Sequence, residues 1–154
     1  MFNAVLSTQS SIGGLVLRLA LGAVMFPHGA QKVFGWWDGS GFDQTLQVFE
    51  KMGFPAWAVV LLMVVELPGA LLLATGFLTR LWALCLGVTM TICMFTTHVQ
   101  HGFFMNWFGQ QQGEGFEYHV LVLGICLVLL IKGGGAFSVD RALADDGGKG
   151  RINL

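Results

Sequence analysis

Several stretches of this chain stay apolar for close to the ~20 residues that a helix needs to cross the hydrocarbon core of a bilayer. That feature decides which solvent the protein folds in. The runs cover about residues 12–33, 55–76, 81–101 and 116–132. The composition agrees, with 55% hydrophobic and 11% charged residues, against roughly 25% charged in a soluble domain. The 154 residues leave room for one domain. A net charge of −1 without a basic cluster argues against nucleic-acid binding. The expected fold is all-α: a polytopic membrane protein built as a four-transmembrane-helix bundle, with a polar cytoplasmic tail over residues 133–154.

Ser10 and Ser11 stand before the first run and can cap it. The N-terminus has no cationic n-region and no A-x-A site after the first run, so that span is expected to stay as an anchor. Beyond it, Phe34-Gly35-Trp36-Trp37 is an aromatic cluster of the head-group type, and residues 38–41 read as a turn. Phe42, Leu46, Phe49 and Met52 have helical spacing with polar residues between them. They predict a short amphipathic helix lying in the interface between spans one and two. Pro55 opens span two, and Thr79-Arg80 separates it from span three. Cys85, Cys93 and Cys126 fall inside apolar runs without a C-x-x-C, which predicts buried packing. Gly13-Gly14, Gly22 and Gly29 offer close-packing surfaces for a homo-oligomer.

Within the first run, Arg18, Gly22, Met25, Gly29 and Lys32 fall within about 40° of one line at 100° per residue, with His28 on the flank. Such a stripe must face partner helices or a cavity. Basic residues set the orientation. With both termini inside, the cytoplasmic face holds Arg80, Lys132, Arg141, Lys149 and Arg151, and the outer face only Lys32 and Lys51. In that topology His28, Gln31 and Lys32 close span one, His98 and His101 close span three, and Glu117 and His119 open span four. All four histidines then map to the outer half and predict a pocket opening outward. Glu66 lies ~16 Å into its span at 1.5 Å per residue, where a lone carboxylate costs several kcal/mol. It is therefore protonated or paired, and Arg18 on the adjacent span is the expected partner. Such a pair either fixes helix register or serves as a proton relay or ligand clamp.

His98 and His101, at i and i+3, raise the question of a metal. No H-x-x-x-H, E-x-x-H or Cys-bearing ligand motif supports one, so none is expected. Histidines and a carboxylate beside aromatic residues also suit proton-coupled chemistry on a lipid-soluble ring such as a quinone. Phe103, Phe104, Trp107 and Phe108 either wall such a slot or form only an interfacial belt.

The segments RLALGAVMFPHGAQKVFG (Arg18 to Gly35), VELPGALLLATGFLTR (Val65 to Arg80), HGFF (His101 to Phe104), GFEY (Gly115 to Tyr118) and G-x-F-S-V-D (Gly135 to Asp140) together resemble the DoxX family of small bacterial membrane proteins. The likeness runs from about Leu17 to Leu143. It implies a four-helix protein of the bacterial inner membrane tied to redox physiology: thiosulfate:quinone oxidoreductase, resistance to quinones and catechols, and membrane complexes that handle oxidative and thiol stress. The family-like polar positions are Arg18, His28, Gln31, Lys32, Glu66, Arg80 and Glu117, whereas His98 and His119 are less typical. Nothing resembles a flavin, haem or Fe–S motif, so any electron carrier is a bound quinone or belongs to a partner. The expected catalytic set is Glu66, Arg18, His28, Lys32, His98 and Glu117. Gln31, His101, His119, Phe104 and Trp107 are expected to contact the ring. Two rival readings stand beside this oxidoreductase or oxidoreductase subunit. One is a non-enzymatic membrane anchor or assembly partner of a soluble oxidoreductase, and the other a small transporter of aromatic compounds.

Overall fold

A computed structural model of the chain describes residue 6 and residues 8–149, with side chains described through residue 144. The segments 1–5 and 150–154, and with them Arg151 and much of the N-terminal segment read above, lie outside the described residues. The described residues are helical, without strands. Helix α1 is Ile12–Phe34, α2 Gly41–Lys51, α3 Ala56–Glu66, α4 Pro68–Thr75, α5 Thr79–Cys93, α6 Glu117–Lys132 and α7 Val139–Lys149. Among the described residues, three units are long and apolar enough to cross a membrane: α1, α3 with α4, and α5 with its extension to His101. At 16 residues, α6 is about 24 Å long. Leu21, Met25, Val65, Leu73, Leu86, Val122 and Leu129 form the core where these helices meet. Val16, Trp57, Leu61, Leu84, Leu121 and Leu127 point outward and stay exposed, an apolar surface that suits lipid.

The Ser11 hydroxyl accepts from the Gly14 amide at the start of α1. Gly35, at φ 69°, closes its end in the left-handed conformation that favours glycine. Pro27 sits inside α1 without ending it. The second span is not continuous. Pro68 lacks an N–H, and its ring is incompatible with a helix carried through from residue 64. The chain therefore turns at Leu67 (φ −99°, ψ −79°) and restarts as α4. The third span changes pitch, with α5 giving way to a π-helical turn over Met94–His98 and a 3₁₀ turn over Val99–His101.

The small residues of α1 allow the bundle to close. A Cβ at Gly29 would stand 2.6 Å from the Glu66 carbonyl carbon and the Leu67 nitrogen, so only glycine lets α1 touch the break in span two. Gly22 lies as close to Ala74, and Gly14 to Gly135. These three glycines are thus consumed within one chain and do not offer the oligomer surface expected of them.

The chain after α6 corrects another expectation, because it begins as part of the folded bundle and not as a polar extension. Gly133 to Ala136, Ser138 and Asp140 are buried. The Asp140 carboxylate accepts from the Leu78 and Thr79 amides at 2.6 and 2.8 Å, capping α5. The Asp140 amide donates to the Gly76 carbonyl, and Ala136 to that of Ser11. Arg18 lies in the middle of this end. Its Nη1 donates to Ala74 O, and its Nη2 to Ala136 O and Phe137 O, over 2.8 to 3.1 Å. Leu78 and Phe137 both hold positive φ here, strain of order 1 kcal/mol each, and both make bonds of this network. Arg80 donates to the Leu130 carbonyl and ties α5 to α6.

Candidate functional site

The opposite end of the bundle holds a cavity of about 390 Å³ between α1, the break in span two, the π-helical turn and the start of α6. Lys32 reaches it because Gly29, one turn earlier, brings α1 against the backbone of Glu66. The Lys32 Nζ donates to Glu66 Oε2 at 2.5 Å, with side chains 23% and 7% exposed. This corrects the expected Arg18–Glu66 pair. Residues 18 and 32 lie about 21 Å apart along α1, and Arg18 spends its donors on carbonyls at the far end. Thr45 of α2 donates to the Lys32 carbonyl at 3.3 Å, fastening the amphipathic helix beside the pair.

Around the ion pair stand His28 at the exposed rim, His98, the buried His119 and Tyr118. The His28 and Tyr118 rings lie 6.4 Å apart, and those of His98 and His119 4.3 Å apart. Methionines 25, 90 and 105 supply apolar wall, and Cys93 closes the π-helical side. The 102–116 segment folds over this end. Phe116 and Glu117 amides donate to Gly102 and Phe103 carbonyls. Glu114 Oε2 accepts from the Asn106 amide at 2.7 Å, and Asn106 and Gln111 bond each other twice.

The cavity thus gathers five of the expected site residues: Glu66, Lys32, His28, His98 and His119. Six others lie elsewhere. Arg18 belongs to the far end. Gln31 Nε2 donates to the Trp37 carbonyl and holds the turn after α1. His101 packs on Gly113 in the loop. Glu117 accepts from Trp107 Nε1 at 3.3 Å and does not line the cavity. Phe104 and Trp107, 67% and 78% exposed, point away from it. Reading from the sequence missed Tyr118 and Cys93. Tyr118 was hidden by attention to the charged Glu117 beside it. Cys93 was hidden because its partner in space, His98, is five positions on, a spacing that no α-helical pattern marks.

A few polar groups converging in an apolar pocket is the arrangement of a small-molecule site. With three helices among the described residues able to cross a membrane, it defines the class: a small polytopic helical membrane protein with a polar pocket between its helices. The chain belongs to the DoxX family, whose pattern matches residues 13–99. It is 33% identical over 109 residues to the inner membrane protein YqjF of Escherichia coli (strain K12), covering 71% of this chain and 79% of that one. It is 28% identical over 118 residues to a Bacillus subtilis (strain 168) protein named "Putative oxidoreductase CatD", covering 77% and 78%. Inner membrane protein YphA of Escherichia coli (strain K12) is 32% identical over 114 residues, covering 71% and 79%. No solved structure matches the chain. The family match includes His28, Lys32, Glu66, Cys93 and His98 and stops before Tyr118 and His119.

Proposed function

We propose that this chain is a four-span protein of the bacterial inner membrane whose outward-opening pocket takes a quinone-like ring and exchanges protons with it. The observation that carries the reading is the Lys32–Glu66 ion pair on the wall of the cavity, beside histidines and a methionine wall. A buried ion pair beside an open cavity can donate a charge-assisted hydrogen bond to a ring oxygen without leaving its own carboxylate unpaired. Lys32 is the donor to one ring oxygen and Glu66 holds it in place. His28 at the rim passes protons between the ring and water. The cavity volume is within the range of ligand sites, and the name of one relative points to redox chemistry. Reduction of a quinone to a quinol needs two electrons as well as two protons. The electrons come from a partner oxidoreductase carrying a flavin or reduced thiols. This makes the chain the membrane-embedded, quinone-binding subunit of a larger enzyme.

In this reading α6 is the fourth span, α2 lies in the outer interface with Phe42, Val48 and Met52 toward lipid, and both termini are cytoplasmic. An alkaline-phosphatase fusion after Lys51 is then active, and one at the C-terminus is not. Mass spectrometry of the purified protein tests the pocket. Co-extracted quinone near one per chain, lost in His28→Ala and Lys32→Met, is the expected result. Co-purification of a flavoprotein or thiol enzyme without any ring compound favours a bare anchor instead. Uptake of an aromatic compound into proteoliposomes, driven by a proton gradient, favours a transporter.

A further inference from the structure

One group of side chains in the cavity wall is left without a role by the ring-binding reading. The metal-capable donor atoms of Cys93, His98 and His119 lie within 4.8 Å of one another. The three residues come from two elements, and their meeting depends on the irregular turn. At 100° per residue, positions 93 and 98 would stand about 140° apart on an α-helix. The wider π-helical turn over Met94–His98 brings them toward one face, and the Thr96 hydroxyl, donating to the Ile92 carbonyl at 2.8 Å, braces that turn. His119 enters from the first turn of α6.

Two further observations point to a ligand. His119 is 4% exposed, and its Nδ1 has no hydrogen-bond partner among the described residues. A buried, unpaired ring nitrogen carries a desolvation cost that a bound cation would offset. The other imidazole is oriented for ligation. His98 Nδ1 stands 2.9 Å from the Glu114 carbonyl. If Nδ1 carries the proton toward that carbonyl, the lone pair sits on Nε2, as is usual for metal-ligating histidines. The carboxylates nearest the group are already engaged, Glu66 with Lys32 and Glu114 with the Asn106 amide.

We infer that Cys93, His98 and His119 form a binding site for a Zn²⁺-class divalent cation in the cavity wall. A thiolate and two imidazoles are a borderline-soft donor set that suits Zn²⁺. In a tetrahedral site with Zn–S of about 2.3 Å and Zn–N of about 2.0 Å, donors sit about 3.3 to 3.6 Å apart. About an ångström of side-chain closure therefore completes the coordination. Three protein ligands leave the fourth position open toward the cavity, the pattern of a catalytic rather than a structural zinc. Ligation releases the Cys93 thiol proton, and the divalent ion offsets the thiolate charge that this leaves in the apolar interior. The site goes beyond the ring-binding reading and does not depend on it, since it shares no ligand with the Lys32–Glu66 pair. It also departs from the expectation drawn from sequence motifs, to which an i, i+5 spacing is invisible.

The test uses the full-length protein in detergent, stripped with chelator and titrated with Co²⁺ alone. One equivalent is expected to bind with a thiolate-to-cobalt charge-transfer band and tetrahedral visible bands, and Zn²⁺ is expected to displace it. Cys93→Ser removes the charge-transfer band, and His119→Ala or His98→Ala weakens binding by more than about tenfold. Should these variants fold poorly, alkylation of the unaltered protein followed by peptide mass mapping gives the same answer. Zn²⁺ then protects Cys93 from the reagent and leaves Cys85 unchanged. Absence of the charge-transfer band, equal uptake in Cys93→Ser, or alkylation of Cys93 indifferent to Zn²⁺ overturns the site. His28→Ala, which should empty the pocket of quinone, leaves Co²⁺ binding intact, so failure of one reading does not pass for failure of the other.

Discussion

At one end of α1, Arg18 spreads its guanidinium over the carbonyls of Ala74, Ala136 and Phe137. At the other end of the same helix, Lys32 aims one ammonium at one carboxylate on the wall of a cavity. Both are cations on the small-residue stripe of α1, and their surroundings give them different work. Around Arg18 the acceptors are backbone groups, including the Gly-rich connection after α6, and Asp140 caps α5 beside it. Those bonds can be broken only by moving main chain. Around Lys32 the partner is a side chain on a cavity wall; His119 Nδ1 and the Tyr118 hydroxyl lack hydrogen-bond partners among the described residues, as Arg18 Nε and Thr79 Oγ1 do at the other end. A polar end whose bonds go to backbone in a closed packing fixes the fold, and one whose side chains line a cavity is open to a ligand.

The largest effect that could break this comparison belongs to Arg18→Leu. It orphans three carbonyls, at a cost of roughly 3 kcal/mol or more. Thermal unfolding in detergent should show loss of the folded protein. Arg18→Lys should not restore it, because one ammonium cannot span the three acceptors. A stable Arg18→Leu that loses a ligand would exchange the roles of the two ends.

Gly29→Val should come next. Its side chain has no room against Glu66 and Leu67, and the overpacking costs about 1–3 kcal/mol. Retained quinone should fall with it, since α1 must retreat from the pair. Comparable in stability and sharper in function is Lys32→Met. Its unfolding midpoint should drop by the equivalent of about 1–3 kcal/mol while bound quinone falls more than tenfold. Glu66→Gln, which keeps an acceptor for Lys32, should fold close to normally. Phe104→Ala should do least, within about 0.5 kcal/mol and with no change in quinone content, because its ring faces outward.

Much of the frame was legible in the residues. The stripe on α1 is buried as its periodicity requires: Arg18, Gly22, Met25 and Gly29 lie inside and Lys32 is half-buried. A helix stands at Gly41–Lys51 where the helical spacing of Phe42, Leu46, Phe49 and Met52 predicts one, and Ser11 caps α1. Period and capping are local properties, and the chain displays them directly. The partner of Glu66 was not legible, because two cations on α1 are both at plausible depth and only the close approach at Gly29 selects Lys32. Pro68 announced a break, yet it was read through as part of one span, since its surroundings are uniformly apolar. Cys93 with His98 was beyond pattern reading altogether, for the change of pitch that unites them has no signature in residue spacing. The Gly135-to-Asp140 motif was read as a family mark. Its physical task, capping α5 and receiving Arg18, depends on residues far apart in the chain.

The turn at Leu67 has a mechanical corollary. Segment α4 is only 8 residues long, with the Glu66–Leu67 backbone against Gly29 above it and the Ala74 carbonyl against Arg18 below. Both grips are on the same uninterrupted rod, α1. The short segment therefore behaves like a link pinned at two points. Tilting it to widen the cavity would pull on the guanidinium clamp two turns away, so the resting aperture of the cavity is calibrated from the distal side of the bundle.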